Sequence, residues 1–181
     1  MRVSRSTVLA SAGLLGSLLV SPGYAQKTTD TAPAKDAVLK SAEVGGKSFP
    51  DKVFFRGQVA SVQARNSGGV HYADDFFVMA ALVDSSGYAS GIKEKYQGYL
   101  ITEVPLEIGG QALKPGAYGF GFIEGSKLVV MDLGANDLFQ VGSAKDGEMK
   151  RPVPLQFAAG TDAGNYRLYK GRDYVEFHRI K

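Results

Sequence analysis

The chain has 181 residues, 21 basic and 18 acidic side chains, and neither cysteine nor tryptophan. The lack of cysteine excludes disulfides, thiol chemistry, cysteine metal sites and lipid attachment through a thiol, and the length behind a leader is enough for one hydrophobic core. Arg2 and Arg5 fall in a segment that reads as removable, and the 19 basic against 18 acidic residues left behind it make no electrostatic case for nucleic acid or anionic lipid.

Residues 1–25 read as a secretory signal peptide. "MRVSR" is basic, "VLASAGLLGSLLV" is apolar, and Ser21-Pro22-Gly23 breaks any helix before the small residues Gly23 and Ala25. Cleavage is expected between Ala25 and Gln26. The apolar run is shorter than the roughly 20 residues a membrane span needs, so no stable insertion is expected after cleavage and the protein should be periplasmic or secreted. Residues 26–51 are polar and rich in threonine and alanine, which reads as a flexible leader. Within it "AKDAVLKSAEV" has the composition of a short helix of two or three turns, marginal by itself.

From Lys52 onward the pattern is one of strands and turns, so residues 52–181 form the expected β domain. "KVFFRGQVASVQA" reads as a strand that "RNSGG" ends. "GGVHYADDFF" follows, with His71 three and four residues before Asp74 and Asp75. A histidine and two carboxylates in one turn would suit a hard or borderline cation. No second histidine or ligand spacing accompanies them, so a solvated loop with Asp74 or Asp75 on local backbone amides is the favoured reading, and no metal or other cofactor is assigned.

"FFVMAALV" is a continuous apolar run that suits a strand buried on both faces. The serines of "DSSGYASG" do not make the strand-to-helix elbow of a hydrolase nucleophile. From Tyr96 to Ile108 apolar and mixed positions alternate, and Pro105, which lacks an amide donor, calls for an edge or a bend. In "IGGQALKPGAYGFGFIEG", Gly109-Gly110 reads as a two-residue hairpin turn and Lys114–Ala117 as a type II turn. The glycines that alternate with Tyr118, Phe120 and Phe122 imply a strand approached closely by another backbone, or one bent at a corner. A strand follows where a dinucleotide site would need a helix, so these glycines serve turns and packing.

The run G-x-x-L-x-x-G-x-Y, carried by Gly110, Leu113, Gly116 and Tyr118, resembles the core of exported bacterial domains of unknown function of the DUF2911 type. That resemblance covers about twenty residues, implies an exported all-β domain and carries over no site residues; the following "EGSKLVVMDLG" lacks the tryptophan-bearing strand expected of that family.

Farther on, "RPVPLQF" reads as an extended, edge-like segment, and "NYRLYKGRDYVEFHRI" as a closing hairpin whose charges guard an exposed edge strand. His178, two residues from Glu176, belongs to a cross-strand polar surface. The whole is all-β, a single β-sandwich or small antiparallel barrel of about eight to ten short strands behind the signal peptide and leader. With no catalytic motif, the expected function is non-enzymatic: binding of a small ligand, a glycan or an envelope partner, and no nucleic acid. A structural component of the envelope and a hydrolase with its site near His71 are the alternatives.

Overall fold

The computed structural model describes residues 35–45 and 48–181. The expected signal peptide, its cleavage site at Ala25 and Gln26, and the leader as far as residue 34 lie outside the described residues.

The ordered β domain begins upstream of the Lys52 boundary. A strand, β1 (Ala37–Leu39), and a single helical turn, α1 (Ser41–Val44), stand where a flexible leader with a two- to three-turn helix is expected. Three apolar side chains hold this segment: Val38 and Leu39 pack against two different cores, and Val44 is fully buried. Docking on a sheet edge supplies hydrogen bonds and burial that a lone short helix lacks.

The expected strand Lys52–Ala64 is two strands, β2 (Lys52–Phe55) and β3 (Gln58–His71), joined through Arg56 and Gly57. Both turn residues have positive φ, 47° and 76°, as a two-residue hairpin whose twist matches its strands requires. The "RNSGG" cluster does not end β3. A register shift between Val62 and Ser67 takes up the irregularity, and the strand continues through Gly68 and Gly69 to His71. A Cβ on Gly69 would lie 2.5 Å from the Val78 carbonyl oxygen, so the glycines permit close pairing in mid-sheet.

β4 (Phe77–Val83) is buried on both faces, as its unbroken apolar run implies: Val78, Ala80 and Leu82 face one core, and Met79, Ala81 and Val83 the other. A second helical turn, α2 (Ser90–Lys93), leads to β5 (Gly98–Thr102). The long alternating run breaks at Glu103–Pro105, where the chain leaves one sheet for the other and enters β6 (Leu106–Ile108). Pro105 is thus at a bend, and its carbonyl accepts the Ile180 amide at 3.0 Å.

Gly109 and Gly110 turn the chain into β7 (Gln111–Leu113), with φ of 54° and 84°. β8 (Gly116–Ile123) then lies in the opposite sheet, so Lys114-Pro115 is a crossing and not the expected type II reversal. Gly116 has φ of 158°, nearly extended, where that turn needs about +80°. Tyr118 closes the crossing, its Oη donating to the Lys114 carbonyl at 2.9 Å, in the manner of the tyrosine corner of β-sandwiches. Gly119 and Gly121 lie under the Phe55 ring and the Lys95 carbonyl, and a Cβ at either position would collide with them.

The remaining strands are β9 (Lys127–Met131), β10 (Asp137–Gly142), β11 (Ala144–Lys145), β12 (Gln156–Ala159), β13 (Asn165–Lys170) and β14 (Asp173–Arg179). One antiparallel sheet has the order β1-β3-β4-β5-β8-β9-β10, with β2 on β3; the other runs β12-β13-β14-β6-β7, with β11 on β14. Neither closes, so the fold is a sandwich and not a barrel. Fourteen segments replace the eight to ten expected, because the β2–β3 turn and the sheet crossings divide runs that read as single strands.

Two cores flank the larger sheet. The first fills the space between the sheets with Val78, Leu100, Phe120, Leu106, Phe157 and Phe177 among others. The second lies on the sheet's outer face, where Phe55 stacks on Tyr96 at 3.7 Å beneath Tyr88 and Val44. The C-terminal hairpin is present, but β14 is an interior strand between β13 and β6. Its charges lie across strands, as in the Arg167–Glu176 pair at 2.8 Å, and do not guard an edge.

Candidate functional site

The turn Tyr72–Phe76 joins β3 to β4 and brings His71, Asp74 and Asp75 to one end of the sandwich. His71 and Phe77 are cross-strand partners, and their rings stack at 4.0 Å. The His71 Nε2 meets Asp75 Oδ1 at 2.8 Å, with Asp75 at φ 69°. Asp74 points elsewhere: both its oxygens accept from Arg179 Nη1, at 2.8 and 2.7 Å. The three candidate ligands therefore do not converge, and among the described residues no three His, Asp or Glu side chains are grouped to hold a metal. Nor does either aspartate take a local backbone amide as expected: Asp75 meets His71 four residues back, and Asp74 takes the charge-assisted bonds of Arg179, which the fold brings to it.

Most of the surrounding groups are committed in the same way; the exception is the Tyr72 hydroxyl, buried without a hydrogen-bond partner among the described residues. Asp36, just ahead of β1, accepts the Tyr166 hydroxyl at 2.6 Å and the Ala73 amide at 2.9 Å. Glu103 accepts the Phe77 amide at 2.8 Å. The Arg179 guanidinium also lies over the Tyr72 and Phe76 rings, at 5.4 and 5.5 Å. Burial pushes the Tyr72 phenol up from its usual value near 10, helped by the Asp36 carboxylate. Burial also raises Tyr166, with its hydrogen bond to Asp36 adding to the effect. Among the described residues His71 has no hydrogen-bonded hydroxyl, so the nucleophile that a histidine–aspartate base would serve is not in place. His178 lies across from Asn165 and Glu107 on a polar strand surface.

A different region is uncommitted. Along one side, the edge strands of the two sheets, β1 and β12, leave a groove of about 430 Å³. Val38 and Leu39 form one apolar wall, and Leu155 and Phe157, 4% and 6% exposed, close the bottom. Val153 stands at the mouth with 42% of its surface in solvent. The polar lining is Lys40, Ser41, Arg65, Asn66, Ser67 and Gln156, and no carboxylate is among it. Arg65, Asn66 and Ser67 come from the irregular stretch of β3, so the shift in register is what delivers them to the groove.

The other cavities carry less. The space between the sheets has a void of only about 10 Å³, too small for a ligand. A wide depression beside Gln97 and Phe122 holds some polar groups already engaged, Lys95 with Asp137 at 2.7 Å and the Gln97 amide with the Phe122 backbone, beside the carboxylates of Glu94 and Glu124. Phe54 and Val59, paired across the β2–β3 hairpin, are 54% and 60% exposed, but two side chains are far short of a stable interface.

Sequence reasoning did not find the groove. Its walls come from the expected leader, from a cluster read as a strand terminator and from "RPVPLQF", and only the last was placed as edge-like. No helix among the described residues is long and apolar enough to cross a membrane. In comparisons with known proteins, no family model, no curated protein and no solved structure matches the chain.

Proposed function

We propose that the chain is an exported, non-enzymatic β-sandwich that takes a small ligand in the groove between β1 and the Val153–Phe157 segment. The observation that carries this reading is the groove's make-up: an apolar floor within a 430 Å³ recess, rimmed by hydroxyl, amide and cationic groups. Ligand sites have that character and that size, about 300–1,000 Å³ with a few polar groups that fix orientation. Export rests on the basic, apolar and small-residue order of residues 1–25.

Two observations speak against the hydrolase alternative. Asp74 is turned away to Arg179, and no hydroxyl reaches the His71–Asp75 pair among the described residues. The test is a thermal-shift and calorimetric screen of the purified protein against octyl amphiphiles and simple sugars. Saturable stabilisation by at least one compound is expected. Asn66→Trp or Ser41→Trp, which fill the groove, should abolish it, and His71→Ala should leave it intact. Stabilisation that survives both tryptophan variants, or none with any compound, would overturn the reading.

A further inference from the structure

We propose that the ligand of this groove is an anionic amphiphile, a short apolar chain ending in a carboxylate or similar anion; the inference rests on the groove being a binding site. The argument is one of charge against surroundings. The described protein is nearly balanced in charge, yet the groove lining carries Lys40 and Arg65 and no acid. Neither cation has an acidic partner among the described residues, unlike Lys95, Arg167 and Arg179; most other surface cations are unpaired too, and what sets these two apart is that they flank an apolar recess.

The carboxylates nearest in sequence are turned to other work. Glu43 accepts the Lys40 backbone amide at 2.8 Å, and Asp36 holds Tyr166 and Ala73. Asn66 donates its amide to Gln63 at 2.8 Å, and Ser67 donates to the Ala64 carbonyl at 2.7 Å, so neither needs a ligand to satisfy that donor. The two cations are left to be answered, with the Ser41 hydroxyl beside them, and an anion at the rim answers them. The floor asks for the other half of the molecule. Val38, Leu39 and Val153, which keep part of their surface in solvent above the buried Leu155 and Phe157, offer aliphatic surface to a chain that would leave water. A sugar suits this floor poorly, because the one aromatic ring in it, Phe157, is buried and presents no open face for a pyranose ring to stack on.

The measurement is isothermal titration of the purified protein with three probes of equal chain length: octanoate, 1-octanol and octyltrimethylammonium. Octanoate is expected to bind at least about tenfold more tightly than octanol, a difference of 1.4 kcal/mol, and the cation not at all. The preference should shrink as salt is raised, because the rim charges are exposed. Arg65→Glu should erase it while the octanol affinity stays, and Arg65→Gln, milder for folding, should reduce it. Equal binding of octanoate and octanol, or a preference untouched in Arg65→Glu and Arg65→Gln, overturns the anionic assignment and leaves the groove reading standing. Binding of any probe that persists in Asn66→Trp, or no binding by any of the three, overturns the groove reading itself. Displacement of octanoate by an acidic extended peptide that binds more tightly would assign the groove to strand addition along β1 instead.

Discussion

At the β3–β4 turn, Asp74 has Arg179, Asp75 has His71, and Asp36 has both Tyr166 and a backbone amide. At the groove, about the same number of polar groups line a recess in which two cations face no acid. The turn contains the residue types that draw attention in a sequence, a histidine beside two aspartates, yet the fold uses them to close one end of the sandwich. The groove contains residues that look ordinary one by one. A cluster of reactive side chains becomes a site only when the fold leaves some of their bonding capacity open.

The comparison can be broken most severely at high pH. Burial raises Tyr72, Tyr96 and Tyr166 above their ordinary value near 10, and two of the three belong to the turn region. Below pH 10 both folded and unfolded chains hold these protons, and the stability linked to them is fully present. As pH rises above 10 the unfolded chain releases them first, so it binds fewer protons than the folded chain and stability falls. Denaturation midpoints measured from about pH 8 to about pH 12 should decline steeply above 10. Tyr96→Phe should lessen the decline, and at neutral pH should be neutral or stabilising, since the Tyr96 hydroxyl is buried without a partner.

At neutral pH the largest effect is expected of Asp36→Ala, which strands the Tyr166 hydroxyl and the Ala73 amide together. A loss of about 2 kcal/mol in urea denaturation is expected; a loss indistinguishable from zero would mean that the turn cluster is not a unit. Arg179→Ala removes an exposed pair and should cost about 1 kcal/mol or less. Smallest of all, Arg65→Ala should change stability by less than about 0.5 kcal/mol, because it leaves no partner unsatisfied. A larger loss there would show Arg65 to be structural and would weaken the contrast with the turn.

Much of the architecture is legible in the chain itself. The unbroken apolar run of β4 predicts its two buried faces, Gly109-Gly110 predicts its hairpin, and the glycines of β8 predict a strand approached by another backbone, which Gly121 meets in the Lys95 carbonyl while Gly119 meets a side chain, the Phe55 ring. These features are local: they follow from the period of apolar residues and from positions where a Cβ does not fit. The corner between the sheets is local too, closed by Tyr118 on the Lys114 carbonyl four residues back.

By itself, then, the sequence determined an all-β chain without disulfides, the position of the Gly109-Gly110 turn and the two-sided burial of its central strand. Tertiary structure decided that β14 lies inside its sheet, that Ala37–Leu39 joins the other sheet as an edge, and that Asp74 turns to Arg179, 105 residues away. It also decided the groove, which draws its walls from three segments far apart in the chain. The physical reason is the same in each case. Strand pairing and charge pairing across such distances depend on which partners the folded chain brings within a few ångströms, and no period or spacing along one segment records that choice.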